Sequence, residues 1–139
     1  MADAASFRRV LRVRTLQVNL ARVEEAAAHE RLASEAALRE RIARLADDVA
    51  PRAVAAGGFT LMAAAHYRER LSHSAAAAEA RERQAAERAE IASALAREAK
   101  RDQTAVEKLI ARRDAEVALA AMRALADAPP ARQVRHDPC

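Results

Sequence analysis

The only two glycines of this 139-residue chain are adjacent, Gly57-Gly58, and they separate two long stretches that contain almost no helix breaker. Glycine adopts positive φ without steric penalty and is the usual residue just past a helix end. Pro51 precedes the pair and cannot occupy a helix interior. On both sides the chain is mostly Ala, Arg, Glu, Leu and Gln, which are strong helix formers. The sequence therefore predicts an all-α fold, a long antiparallel two-helix coiled-coil hairpin that bends near this pair.

The composition favours contact with partners over catalysis. Hydrophobic residues make up 52% of the chain, but aromatic residues are only 2% and much of the apolar share is alanine, so large core-filling side chains are sparse. Charged residues make up 32%, which is typical of long-helix and coiled-coil proteins. A hairpin of this kind has no room for an enclosed active site. We therefore expect no enzyme, no cofactor and no metal site.

The charge and the single cysteine bear on the compartment. The formal net charge of +4 is too small to imply nucleic acid by itself, and Cys139 cannot form an internal disulfide. The longest uncharged apolar stretch, residues 53–65, is shorter than the roughly 20 residues that a membrane span needs. No apolar run follows the N-terminal arginines, so a signal peptide is not expected. We expect a protein that acts in the cytoplasm.

Helix signals divide the predicted hairpin, residues 1–128, into three parts. The first helix is predicted over residues 7–49, with Ser6 as its N-cap, and the bend over residues 50–60. The second helix is predicted over residues 61–128, with Thr60 as its N-cap and Pro129-Pro130 as its stop. Residues 129–139 are predicted to form a disordered tail.

Apolar residues at steps of three and four predict which face of each helix meets the other. In the first helix these are Phe7, Val10, Leu11, Leu16, Leu20, Val23, Ala27, Ser34, Leu38, Ile42, Leu45 and Val49. In the second they are Leu61, Met62, Leu71, Ala75, Ala78, Ile91, Leu95, Val106, Leu109, Ile110, Val117, Leu119 and Leu125. Between residues 72 and 90 the face is almost all alanine and charge, so the helices either approach closely there or form a loosely held rod.

The two predicted helices differ in length. At 1.5 Å per residue the first is roughly 65 Å long and the second roughly 100 Å. Phe7 should then lie near residues 105–110, and residues 112–128 should project as an unpaired end. An isolated helix is marginal in water, so a partner is expected there. Its apolar surface would be Val117, Leu119, Met122 and Leu125.

Three segments resemble the FliJ family of flagellar export proteins and the YscO-like stalk proteins of type III secretion. The N-terminal FRRVLRVR, residues 7–14, is similar to the family's F-x-x-x-L-x-x-R helix start. GGFT at residues 57–60, followed by YRERL at residues 67–71, resembles the family's turn and its Y-x-x-x-L start of the second helix. VEKLIARR at residues 106–113 is close to its EKLIERR stretch.

The resemblance implies a non-enzymatic stalk, similar to the central shaft of rotary ATPases. Such a protein would sit in the pore of the hexameric export ATPase at the cytoplasmic face of the flagellar base, and it would contact the membrane export gate. Export chaperones are further candidate partners, and a monomer is expected. The gate-binding positions of the family correspond to Tyr67, Leu71, Ser74 and Ala78, which share one helical face.

The ATPase surface is expected at the tip opposite the bend. There the arginine-rich start of the first helix, Arg8, Arg9 and Arg12, should lie beside the projecting residues Val117, Leu119 and Met122.

Each candidate also has a simpler interpretation. Tyr67 and Leu71 can be ordinary residues of the helix–helix interface, and the arginine cluster can be a solvated helix face. His66 and His73 are about 10 Å apart along a helix, too far to share one metal ion. The main alternative function is a dimeric coiled-coil scaffold without an export role. A nucleic-acid-binding rod ranks third, because no aromatic platform accompanies the arginines.

Overall fold

The computed structural model describes residues 2–49 and 58–129, which form two long helices packed against each other. Helix α1 spans Ala2–Asp48 and helix α2 spans Gly58–Ala126. The described part of the chain contains no strand. The predicted all-α helical hairpin is therefore confirmed. Most of the predicted bend, residues 50–57, and the tail from residue 130 onward lie outside the described residues.

Both helices begin earlier than their sequence signals suggested. Because α1 begins at Ala2, Ser6 is inside the helix, where its Oγ accepts a hydrogen bond from Arg9 Nη2 at 3.3 Å. Thr60 is likewise inside α2. Neither residue is therefore the predicted N-cap. The physical reason in α1 is that the residues before Ser6 are mostly alanine and include no helix breaker.

The helices run antiparallel in a single register. Arg14 Nη1 lies 2.9 Å from Asp102 Oδ2, and Arg39 Nε lies 2.9 Å from Glu82 Oε2. The Arg113 guanidinium stands 5.6 Å from the centre of the Phe7 ring. Residue numbers along α1 therefore rise as those along α2 fall. Phe7 lies beside Arg113 of α2, a few residues past the stretch 105–110 that was predicted to face it.

The covered face of each helix follows a strict alternation of steps of three and four, the 3.5-residue repeat of coiled coils. We call these positions the seam. In α1 the seam comprises Ala4, Phe7, Leu11, Arg14, Val18, Ala21, Glu25, Ala28, Leu32, Glu35, Arg39, Ile42, Ala46 and Val49. In α2 it comprises Ala64, Arg68, Leu71, Ala75, Ala78, Glu82, Ala85, Ala89, Ala92, Ala96, Ala99, Gln103, Val106, Ile110 and Arg113.

The seam is thin and largely made of alanine. The buried apolar side chains among the described residues are Val18, Leu71, Ala78, Ala89 and Ala96. The whole chain exposes 11716 Å² of surface, whereas a compact monomer of 15.1 kDa would expose about 7,000 Å². Of the two possibilities for residues 72–90, a close approach is observed, because Ala78 and Ala89 are almost completely covered.

The sequence-based assignment of the α1 interface was partly wrong. Leu16, Leu20 and Val23 were expected to face α2 but are 62–66% exposed. Ile91 and Leu95 of α2 are also exposed. The reason is that α1 carries two apolar repeats offset by two residues, and α2 packs against the one with smaller side chains and complementary charges.

The close approach predicts that the seam rejects larger side chains. Ala89→Leu should destabilise the hairpin by about 1–3 kcal/mol, because the added carbons must displace the facing helix. Ala94→Leu is the matched control, because Ala94 is exposed and should tolerate leucine with little change. Thermal and urea unfolding followed by circular dichroism measure both variants. Equal effects of the two substitutions would contradict the close approach at Ala89.

Candidate partner-binding surfaces

The structure divides the four predicted gate-binding residues into two pairs. Leu71 and Ala78 are seam positions with 9% and 0% exposure, so their side chains are covered within the hairpin. Tyr67 is 47% exposed, and Ser74 is exposed one heptad further along the same edge of α2. Gate binding itself remains a prediction. Only Tyr67 and Ser74 are accessible to a partner in this conformation.

The six residues predicted to contact an ATPase lie at one end of the hairpin. Arg8, with Phe7, lines a shallow cleft of about 220 Å³ between the start of α1 and residues Ile110, Arg113 and Asp114 of α2. Arg9 and Arg12 are exposed on α1 close by. Val117, Leu119 and Met122 follow the cleft along α2 and are 60%, 47% and 66% exposed. We call this end the tip.

The projecting end of α2 is shorter than predicted but present. Every residue from Asp114 to Pro129 is exposed. The helical part of it, residues 115–126, extends about 18 Å beyond Asp114, which lines the cleft with Ala4 and Phe7. Its last turn is continued by a hydrogen bond from Asp127 N to Arg123 O at 3.0 Å. The tip therefore combines a single unpaired helix, which exposes apolar side chains, with the arginines of α1.

Polar contacts between the helices hold the tip in place. Gln103 Nε2 donates to Thr15 Oγ1 at 3.1 Å, beside the Arg14–Asp102 ion pair. Near the middle of the hairpin His29 Nε2 lies 3.1 Å from Ser93 Oγ, which is 7% exposed. Arg81 Nε and Glu35 Oε2, 3.2 Å apart, are paired further toward the bend. These contacts fix how far α2 extends beyond α1.

A small molecule, a metal ion or a membrane would each require a particular feature among the described residues. One cleft in the open groove between the helices is lined by Arg22, Glu25, Ala96 and Lys100 and measures about 450 Å³. Within residues 2–49 and 58–129, no group of histidine, cysteine and acidic side chains could hold a metal ion. Neither described helix contains a segment apolar enough to cross a membrane.

One exposed apolar surface of α1 was not expected from the sequence. Val13, Leu16, Leu20 and Val23 are 54%, 63%, 62% and 66% exposed on α1. Their spacing of three, four and three residues was visible in the sequence and was assigned in part to the interface with α2. A second repeat with the same spacing, Leu11, Arg14, Val18 and Ala21, faces α2 instead. Its charged residue, Arg14, forms an ion pair with Asp102 of α2.

Comparisons with known proteins do not identify the chain: no protein-family model matches it, and no significant match was found among curated proteins or solved structures.

The burial difference predicts different roles for Tyr67 and Leu71. Leu71→Ala should destabilise the hairpin by about 2 kcal/mol or more, because it leaves a cavity in the seam. Tyr67→Ala, at an exposed position, should change stability by less than about 1 kcal/mol. Urea unfolding at equal protein concentration measures both changes. A larger loss of stability from Tyr67→Ala would contradict the placement of these residues.

Proposed function

We propose that this protein is a non-enzymatic stalk or adaptor of a type III protein export apparatus, of the flagellar kind, that organises or stimulates the export ATPase and contacts the export gate. The observation that carries the proposal is the tip, where a long two-helix rod ends in one unpaired apolar helix beside the arginines of α1. The resemblance of residues 7–14, 57–71 and 106–113 to the FliJ family supports it independently.

A rod of this shape acts by asymmetric contact. A rod of two unequal helices lacks the six-fold symmetry of a hexameric ring. Different subunits of the ring therefore meet different side chains of the rod. Contacts that differ between subunits bias their nucleotide affinities, and this couples the state of one subunit to the next. The exposed positive charge of Arg8, Arg9 and Arg12 would recognise acidic surfaces of the ring, and the apolar end of α2 would supply contact area.

The opposite end of the hairpin would contact the gate. Tyr67 is the residue to expect there, because tyrosine provides a large contact area at low entropic cost. Ser74 lies on the same edge, and its small side chain would let a partner approach closely. Leu71 and Ala78 would act only indirectly, by holding α2 against α1. The rod would then connect the ring to the gate from the cytoplasmic side, and export chaperones remain further candidate partners.

The alternative function is a dimeric coiled-coil scaffold without an export role. The exposed apolar residues of α1 favour it, because they are typical of a helix that pairs with another helix. Hydrolysis assays separate the two functions, because a general scaffold has no effect on the ATPase.

The tip predicts a specific loss of ATPase stimulation. Steady-state ATP hydrolysis by the export ATPase from the same organism should rise in the presence of this protein, together with the hexamer fraction. Val117→Asp combined with Met122→Asp should remove most of that increase, because both side chains are exposed and unpaired. The matched control, Tyr67→Ala, should leave stimulation unchanged but reduce gate binding. An ATPase indifferent to the wild-type protein would refute the stalk proposal.

A further inference from the structure

Four large apolar residues of α1 form an exposed row that faces away from α2. It consists of Val13, Leu16, Leu20 and Val23, which we call the outer stripe. These residues are offset by two from the seam positions Leu11, Arg14, Val18 and Ala21, which is about 200° around a helix. The outer stripe is therefore nearly opposite the face that packs on α2. Nothing in the described hairpin covers it.

The spacing of the outer stripe specifies the shape of what would cover it. Large apolar residues at steps of three, four and three form a coiled-coil face, which accepts another helix. All four side chains of the outer stripe are large and apolar, whereas the seam positions beside them include Arg14 and Ala21. Apolar surface gathered in one patch marks an interaction site rather than ordinary surface composition. The occupant is thus an α-helix with its own apolar repeat.

Charge at the two ends of the outer stripe specifies which helix fits. Arg9 and Arg12 lie beside the start of the stripe and Glu24 and Glu30 beside its end, where Arg31 is also exposed, whereas Arg14 and Glu25 belong to the seam. Arg9, Arg12, Glu24 and Glu30 are exposed, and none of them forms an ion pair within residues 2–49 and 58–129. The stripe is therefore bounded by a basic patch at one end and an acidic patch at the other.

We propose that two copies of this chain pair through the outer stripes of their α1 helices, in antiparallel orientation. In that arrangement Val13 of each copy lies level with Val23 of the other, and Leu16 lies level with Leu20. The basic end of each helix then lies beside the acidic end of its partner. Two-fold symmetry makes this contact occur twice in the dimer. A parallel pair would instead place Arg9 and Arg12 of one copy against the same residues of the other, which is repulsive.

The dimer goes beyond the export role and does not depend on it. Pairing along α1 leaves Tyr67 and the apolar end of α2 uncovered, but it uses Arg9 and Arg12, which also belong to the tip. The dimer and the ring-bound form therefore exclude each other. A monomer is then the form engaged with the ATPase, and the dimer is the form of the protein on its own.

Sedimentation equilibrium of the full chain, under reducing conditions that keep Cys139 unpaired, tests the proposal. The mass should approach twice the 15.1 kDa of the chain at about 100 µM, where even a micromolar dimer is nearly complete. Leu16→Glu combined with Leu20→Glu should return the mass to that of the monomer with unchanged helical circular dichroism. A wild-type protein that remains monomeric would overturn the proposal.

A matched control has the same chemistry on the other helix. Ile91 and Leu95 are also four residues apart and are 60% and 50% exposed. Ile91→Glu combined with Leu95→Glu should leave the dimer intact. If the Ile91→Glu and Leu95→Glu substitutions dissociate the dimer as strongly as Leu16→Glu and Leu20→Glu do, the outer stripe is not the interface. ATPase stimulation is measured separately, so a failed dimer and a failed export role give different results.

Disulfide trapping distinguishes the two orientations. In a Cys139→Ser background, a mixture of the Val13→Cys and Val23→Cys proteins should form a cross-linked dimer, because these positions are level in an antiparallel pair. Either protein alone should cross-link poorly. Efficient cross-linking of the Val13→Cys protein with itself would show a parallel pair and overturn the proposed arrangement.

A charge exchange tests the complementarity directly. Arg9→Glu combined with Arg12→Glu should weaken the dimer at least tenfold, because both ends of the stripe then become acidic. Adding Glu24→Arg and Glu30→Arg to the same chain should restore most of the affinity. A combined variant as weak as the first would contradict the antiparallel charge pairing.

Discussion

Close packing through alanine is the constraint on which the rest of this structure depends. A methyl group lets two helix backbones approach closely but removes little apolar surface from water, so each layer of the seam contributes little to stability. Ala78 and Ala89 are almost completely covered, whereas Val18 and Leu71 are the larger apolar residues that reach comparable burial among the described residues. The hairpin is therefore stabilised by many small contacts spread over its length. One consequence is that most large apolar side chains remain on the surface.

An alanine seam would permit the helices to slide by a heptad, so the register must come from polar contacts. The ion pairs Arg14–Asp102, Arg39–Glu82 and Glu35–Arg81 join the helices at separate levels, and the His29–Ser93 contact lies between them. Each exposed pair contributes at most about 1 kcal/mol, but a shift of seven residues would break all of them together. Because the register sets where α1 begins against α2, these pairs determine the length of the unpaired end of α2 and hence the geometry of the tip.

The sequence predicted the architecture well and the facing of α1 poorly, for one physical reason. Helix propensity and the Gly57-Gly58 break are local properties, so two long helices and their unequal lengths could be anticipated. Two repeats of α1 could face α2, one containing Leu11 and Val18 and the other containing Leu16 and Val23. Which of them does so depends on which has charged partners on α2. That information is distributed between residues such as Arg14 and Asp102, which are far apart in the chain. The same ambiguity explains why Tyr67 and Leu71, four residues apart, were grouped although the structure exposes one and buries the other.

A chain that buries mostly small side chains and exposes most of its large apolar ones would gain stability from a partner that covers them. Large apolar side chains along Val13–Val23 and beyond residue 114 are exposed, so a partner that covered them would stabilise the fold by linkage. Arg9 and Arg12 belong both to the tip and to the outer stripe. Competition for these two arginines would couple self-association to capture by the ring, because whatever binds them more strongly determines whether the rod is paired or engaged.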